Sequence, residues 1–97
     1  MSNPPPVLSP QQIELQLKSL PGWQLVGNEI IKTYSFKNYY QTMAFVNASA
    51  WISHATDHHP DLEVGYNQCK VRYSTHSAGG ITSKDMECAG KIEALVR

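Results

Sequence analysis

An apolar helical pattern between Asn38 and Pro60 most constrains how this chain can fold. Apolar side chains recur there at the spacing of an amphipathic helix that buries a wide stripe. They are Tyr40, Met43, Ala44, Phe45, Val46, Ala50, Trp51 and Ile52. Pro60 limits the helix, because the residue before a proline is pushed out of the α region. About 20 residues at 1.5 Å each give a helix of ~30 Å, long enough to cross a small sheet.

Segments of alternating apolar and polar residues lie on both sides of this helix. Residues 23–26 and 29–36 flank the dipeptide Gly27-Asn28, which is typical of a hairpin turn. Residues 62–67 and 70–75 alternate in the same way. They predict two further half-buried strands.

Two helix starts complete the pattern. Ser9 with Gln12, and Thr82 with Asp85, have the spacing of a capping box. The predicted order is α-β-β-α-β-β-α, which favours an α+β fold: a four-stranded antiparallel sheet with three helices packed on one face.

Residues 1–8 contain three consecutive prolines, so we expect a flexible N-terminal arm at 1–8 and a single domain at 9–97.

Length and composition exclude several classes of function. A chain of 97 residues holds one domain, without room for a separate cofactor domain. Its 8 Lys and Arg balance 8 Asp and Glu, which argues against nucleic acid as a direct partner, because that affinity needs clustered basic residues.

Cys69 and Cys88 are far apart, so we expect no disulfide framework. We also expect neither a membrane span nor a signal peptide, and therefore a cytoplasmic protein.

All four histidines lie within residues 54–76. His54 and His58 are four residues apart and would share one face of the predicted helix, with His59 beside them. His76 follows the last predicted strand and precedes a loop with two glycines, where a backbone can approach a ligand closely. Imidazole transfers protons in either direction near neutral pH. The cluster therefore suggests an acid/base site.

The same residues also fit roles outside acid/base catalysis. A histidine at the end of a helix can serve as a cap that interacts with the helix dipole. Asp85 has a structural role as the third residue of a capping box. His54 and His58 are also permissive for zinc, although no His-Glu-x-x-His signature is present and the spacing alone is unspecific.

A set of ordered motifs resembles a known family, the pterin-4a-carbinolamine dehydratases, from Trp23 to the last helix. The motifs are His54-Ala-Thr-Asp57-His58-His59-Pro60, Tyr66-Asn67, Ser74-Thr75-His76 and Gly80-Ile81-Thr82 leading to Asp85. The resemblance implies an α+β fold, dimers that extend the sheet across subunits, and tetramers built by helix packing. It also implies loss of water from 4a-hydroxytetrahydropterin to give quinonoid dihydropterin, with no metal or organic cofactor.

The resemblance implies a role for each motif residue. His58 and His76 are expected to form the acid/base pair, and His59 to hold the pterin and contribute to the protonation network. Asp85 is expected to support the site electrostatically. The expected substrate contacts are His54 at the rim, Asp57, Leu62, Ser74, Thr75 and Ser77. Leu62 stands where the family commonly has tryptophan, and we expect it to supply an apolar wall.

The resemblance also implies the partners. They are the pterin substrate, further copies of the chain in a homodimer or homotetramer, and, through the reaction, an aromatic amino-acid hydroxylase whose pterin product is recycled. A second hypothesis is a dimerising pterin-binding or transcriptional-cofactor module with little catalysis, since animal members of the family also bind a homeodomain transcription factor.

Overall fold

The structure is a computed structural model that describes residues 4–96. Its elements are α1 (Pro10–Leu17), β1 (Gln24–Val26), β2 (Glu29–Ser35), α2 (Tyr39–Thr56), β3 (Asp61–Val64), β4 (Gln68–Tyr73) and α3 (Ser83–Leu95). A short 3-10 turn, His76–Ala78, precedes α3. The strands form one antiparallel sheet in the order β1-β2-β4-β3. The predicted α+β fold and its element order are confirmed.

The helices begin where local capping chemistry predicts. Ser9 and Thr82 both form complete capping boxes, with Gln12 and Asp85 as the returning side chains. At the start of α2, the side chain of Asn38 accepts a hydrogen bond from the backbone of Gln41 at 3.0 Å. These contacts satisfy backbone donors that have no partner within the helix.

The core lies between one face of the sheet and the three helices. In the β2–β4 register, Ile30 is opposite Tyr73 and Tyr34 is opposite Cys69, and all four side chains are buried. The helices contribute Ile13, Phe45, Met86, Cys88, Ala89 and Ile92 to the same cluster. Alternate residues of β4 therefore face the core, as the period-two pattern predicts.

The wide buried stripe predicted for α2 is wrong in its extent. Tyr40 is 80% exposed and Trp51 is 72% exposed. Only a narrow line of Thr42, Phe45 and Ser49 is buried on this helix. Because α2 meets the core along this line, much of its remaining apolar surface faces solvent in the single chain.

Two element ends differ from the sequence prediction. The helix α2 ends at Thr56, well before Pro60, because Asp57 adopts a left-handed conformation. The strand β3 ends at Val64, because the backbone N–H of Gly65 donates to the carbonyl of Gln68 at 2.8 Å and closes a turn.

The predicted arm at residues 1–8 falls partly outside the described residues, which begin at Pro4. Within the described part, the backbone N–H of Leu8 donates to the carbonyl of Ile81 at 2.8 Å. Leu8 also packs against the core as a half-buried side chain. Within residues 4–96, no helix has the length and apolar character needed to cross a membrane.

A buried carboxylate connects α3 to the sheet. Oε1 of Glu93 accepts hydrogen bonds from Lys32 Nζ at 2.8 Å, the Tyr34 hydroxyl at 2.5 Å and Trp23 Nε1 at 3.3 Å. Burial raises the pKa of Glu93, but the hydrogen bonds from Lys32 and Tyr34 outweigh it and hold this pKa below its ordinary value of 4.5. Burial and the nearby Glu93 raise the pKa of Tyr34.

We expect Glu93→Ala to lower the free energy of unfolding by roughly 3 kcal/mol, because buried donors lose their acceptor. Since the pKa of Glu93 is lowered on folding, its contribution is present above about pH 4.5 and is lost as the pH falls through the folded pKa. Urea unfolding across this range measures both effects. Glu93→Gln keeps an acceptor oxygen without the charge, and the same pH dependence in this variant as in the wild type would contradict the assignment.

Candidate active site

A cavity of about 230 Å³ lies between two segments, one directly after α2 and one directly after β4. Its lining residues are Asp57, His58, His59, Ser74, Thr75, His76 and Ser77. Three of the four histidines in the chain are therefore brought to one cavity. The two segments are distant in sequence, and the packing of α2 and α3 on the sheet brings them together.

Asp57 turns the chain from α2 toward the cavity. Its backbone is left-handed, with φ 52° and ψ 42°, and its N–H still donates to the carbonyl of Ser53. Aspartate adopts this conformation more readily than most residues that have a Cβ. The turn removes His58 from the helix, so the predicted shared helix face of His54 and His58 is wrong.

His58 is tied to a fully buried carboxylate. Its Nε2 lies 2.6 Å from Oδ1 of Asp85, and Asp85 is 0% exposed. A carboxylate can only accept hydrogen bonds, so Nε2 carries the hydrogen in this pair. Nδ1 is then the ring nitrogen that remains free of Asp85.

The second oxygen of Asp85 is also occupied. Oδ2 accepts from the backbone N–H of Thr82 at 2.9 Å and from the hydroxyl of Thr75 at 2.7 Å. The bond from Thr82 is half of the capping box that begins α3. One side chain therefore caps α3 and supports His58, so the structural and the functional roles of Asp85 are compatible.

Tyr73 forms the buried wall behind His58. The two rings stack with centroids 5.8 Å apart and planes 17° apart. Burial, the neighbouring Cys88 thiol and the Asp85 carboxylate raise the pKa of the Tyr73 hydroxyl. The stacked ring limits how far the imidazole of His58 can tilt.

His59 and His76 are more accessible than His58, since both are exposed. His59 Nδ1 lies 3.2 Å from the carbonyl of Pro60, so this nitrogen is the donor. His76 begins the 3-10 turn, which is held by a hydrogen bond from the backbone N–H of Gly79 to the backbone carbonyl of His76 at 3.1 Å. Gly79 has a φ of 77°, a conformation that glycine adopts at little cost.

Two of the predicted substrate contacts lie outside the cavity lining. His54 is exposed on α2, where its ring stacks on Trp51 with centroids 5.3 Å apart. Leu62 is half-buried in β3 and packs against the core. Their substrate contacts stay predictions, whereas Asp57, Ser74, Thr75 and Ser77 line the cavity.

Two residues that touch the site are absent from the predicted site residues. The sequence identifies Thr82 as a helix cap and as part of a family motif but gives it no role in the site, although its spacing from Asp85 is the signal that places it beside the carboxylate. The alternation of β4 assigns Tyr73 to the buried face, but its contact with His58 depends on the path of the chain after Asp57. No local pattern encodes that path.

A larger cavity of about 480 Å³ lies elsewhere, between β2, α2 and the end of α3. Its lining is Tyr34, Ser35, Phe36, Gln41, Ala44, Phe45, Ala48, Leu95 and Val96. Among the described residues of this lining, Tyr34 is the one titratable side chain, and its hydroxyl is engaged by Glu93. Acid/base chemistry therefore favours the smaller cavity.

The sequence leaves a zinc site open as an alternative, and such a site needs a set of ligands that lie close together. Within residues 4–96, no three His, Cys, Asp or Glu side chains form a group that could hold a metal ion. His54 and His58 do not share a helix face, because α2 ends between them.

We expect Asp57→Gly to be at least as stable as the wild type, because glycine adopts the left-handed conformation without strain. Asp57→Val is expected to lower the free energy of unfolding by about 1 to 2 kcal/mol, since a β-branched residue is strained there. Urea unfolding of the two variants measures the difference. Equal stability of both would show that α2 does not require this conformation at Asp57.

Comparisons with known proteins give relatives over most of the chain. A protein of Nitrosomonas eutropha, provisionally named a pterin-4-alpha-carbinolamine dehydratase, is 58% identical over 92 residues, which cover 94% of this chain and 81% of the relative. A protein of Bdellovibrio bacteriovorus with the same provisional name is 55% identical over 92 residues, covering 91% of this chain and 77% of the relative.

Solved structures share the fold. A protein of Brucella melitensis described as a transcriptional coactivator/pterin dehydratase superposes with a TM-score of 0.90 at 30% identity, covering 94% of this chain and 99% of that chain. A pterin dehydratase-like protein described as a RuBisCO assembly factor in the alpha-carboxysome has a TM-score of 0.62 at 26% identity, covering 75% of this chain and 84% of that chain.

The family model for pterin 4 alpha carbinolamine dehydratase matches residues 6–95. This match includes every residue that lines the cavity, together with Asp85. The chain belongs to the pterin-4a-carbinolamine dehydratase family, a family of hydro-lyases.

Proposed function

We propose that this protein dehydrates 4a-hydroxytetrahydropterin to quinonoid dihydropterin by histidine general acid/base catalysis. The observation that carries the proposal is the convergence of His58, His59 and His76 on one cavity of about 230 Å³, with His58 bonded to the buried Asp85. Family membership supplies the substrate class.

The reaction needs two proton transfers at neighbouring atoms of the pterin. The C4a–O bond breaks, the proton on N5 leaves, and a C4a=N5 double bond forms, so that one water molecule is released. The departing hydroxyl needs a proton donor and N5 needs a base, and imidazole serves both needs near neutral pH. The atoms and electrons balance without an oxidant or a reductant, so the proposed reaction needs no redox cofactor.

We assign the acid/base pair to His58 and His76. His58 would exchange its proton through Nδ1, because Asp85 occupies Nε2. The two histidines come from different segments of the cavity wall, which suits proton transfers at two different atoms of one substrate. We assign His59 to holding the pterin and to the protonation network.

The polar lining supplies the proposed substrate contacts. Asp57 can accept hydrogen bonds from N–H groups of the pterin, and Ser74 and Ser77 can donate or accept. Neutral and singly charged groups fit a small uncharged heterocycle better than they fit a polyanion.

The proposed working form is a homodimer or homotetramer. The exposed aromatic side chains Tyr40 and Trp51 on α2 support helix packing between copies. The edge position of β3 in the sheet supports strand pairing between copies. We further propose that the protein works in the cytoplasm with an aromatic amino-acid hydroxylase that supplies its substrate.

The direct test mixes the purified protein with carbinolamine that a hydroxylase generates in the same cuvette. Loss of the carbinolamine is followed by absorbance. We expect dehydration to accelerate over buffer in proportion to protein concentration. A rate equal to the rate in buffer would contradict the proposed function.

We expect His58→Ala and His76→Ala each to lower kcat by roughly 10² or more, the usual effect of losing a general acid or base. His54→Ala is the matched variant, because it removes an imidazole outside the cavity lining, and we expect its kcat to stay within about twofold of the wild type. A raised KM in His54→Ala would support its predicted rim contact. Wild-type turnover in both His58→Ala and His76→Ala would remove the acid/base roles.

The second candidate function is a pterin-binding or transcriptional-cofactor module with little catalysis. It is favoured by the solved structure that is described as a transcriptional coactivator/pterin dehydratase. Pterin titration separates the candidates. Saturable pterin binding without turnover of the carbinolamine would select the second.

A further inference from the structure

The hydroxyl of Thr75 gives its hydrogen to a group inside the protein, so it cannot donate a hydrogen bond to a substrate. Thr75 is buried, its Oγ1 donates to Asp85 Oδ2 at 2.7 Å, and it lies 2.8 Å from the Oγ1 of Thr82. A hydroxyl has one hydrogen to donate. Because Asp85 takes the hydrogen of Thr75, Thr82 must be the donor in the bond between the two threonines.

The hydroxyl of Thr82 gives this chain of bonds its direction. Oγ1 of Thr82 accepts from the backbone N–H of Lys84 at 3.2 Å, and its own hydrogen goes to Thr75. The bonds therefore run from Lys84 through Thr82 and Thr75 to Asp85. Hydroxyls that accept and donate in sequence polarise one another, which strengthens the last bond to the carboxylate.

The series of hydrogen bonds through Thr82 and Thr75 ends on one oxygen of Asp85, and His58 contacts the other oxygen. Oδ2 has two donors, the Thr75 hydroxyl and the Thr82 N–H, whereas Oδ1 faces Nε2 of His58 at 2.6 Å. The terminal torsion of an aspartate is broad, so the carboxylate needs external bonds to keep one orientation. The two bonds on Oδ2 provide them and determine where Oδ1 meets the imidazole.

We propose that Thr75 and Thr82 are positioning residues whose directed hydroxyl chain orients Asp85 and thereby keeps His58 with its hydrogen on Nε2. Neither hydroxyl needs to touch the substrate. The expected effect on turnover rests on the proposed function, whereas the tautomer of His58 is a property of the protein alone.

The kinetic test uses Thr75→Val and Thr82→Val, which remove a hydroxyl at nearly constant volume. We expect Thr75→Val to lower kcat about tenfold or more, and Thr82→Val about threefold or more, because the second variant leaves the bond from Thr75 to Asp85 in place. KM should stay within about twofold in both. A higher KM with an unchanged kcat in Thr75→Val would overturn the proposal. That result would instead support the substrate contact that the family resemblance implies for Thr75.

Serine variants and a buried threonine elsewhere provide the controls. Thr75→Ser and Thr82→Ser keep the hydroxyl and should recover most of the kcat lost in the valine variants. Thr42→Val removes a buried hydroxyl whose single hydrogen lies between the carbonyls of Asn38 and Tyr66, 2.9 and 3.0 Å from its oxygen and outside the cavity lining. It should lose stability without losing kcat. If Thr75→Val does not fold, Thr82→Val and Thr82→Ser decide the kinetic test.

Nitrogen-15 NMR of histidine-labelled protein tests the positioning role without substrate. We expect neutral His58 to be the Nε2–H tautomer in the wild type and a mixture of tautomers in the valine variants. That change, in protein that shows no turnover at all, would support the positioning role while the proposed function fails. One unchanged tautomer in both valine variants would overturn the inference and leave the proposed function standing.

Discussion

The hydrogen bonds of the buried Asp85 carboxylate join three parts of the fold at one point. The start of α3, the segment after β4 and the turn after α2 all donate to it, through Thr82, Thr75 and His58. Because a charge without partners is costly in a protein interior, this carboxylate and its donors are stable only together. A helix cap, which in most proteins is a local feature, thus sets the distance between two cavity walls.

At the other end of α3, the carboxylate of Glu93 also joins separate parts of the fold, as the carboxylate of Asp85 does at the start of the helix. Its bonds to Trp23, Lys32 and Tyr34 attach the last turns of the helix to the sheet, as Asp85 attaches the first turn to the cavity. Both ends of α3 are therefore attached to the rest of the protein. Few apolar side chains of this helix before Leu95 are exposed. A small core is supplemented here by specific polar contacts at two buried positions.

Features that follow from local rules could be predicted from the sequence. The capping boxes at Ser9 and Thr82 depend on side chains three residues apart, and the alternation in β4 depends on the pleat of a strand. Continued one position beyond Thr75, the same alternation places His76 on the side of Lys70 and Arg72, away from the core, and His76 is exposed. The resemblance to the family, and not a local rule, places Asp57, Ser74, Thr75 and Ser77 beside the histidines, and all four line the cavity.

The remaining features depend on contacts between distant segments. Pro60 sets only a limit for α2, and the helix stops earlier because Asp57 takes up a conformation that several residue types could have adopted. The stack of Tyr73 on His58 then follows from that turn. Likewise, the apolar pattern of α2 does not reveal that Trp51 lies on the solvent side, since helical spacing alone does not identify which face meets the sheet.

The bond from Leu8 to Ile81 brings the first described residues next to the segment between His76 and the start of α3. Val7 also lies against Gly80, where an added Cβ would be 3.0 Å from its Cγ1. An affinity tag fused close to Leu8 therefore sits against the loop that carries a cavity histidine. Val96, at the other end of the described residues, lines the larger cavity and not the cavity that holds the histidines, so attachment at that end is the better choice for immobilising this protein.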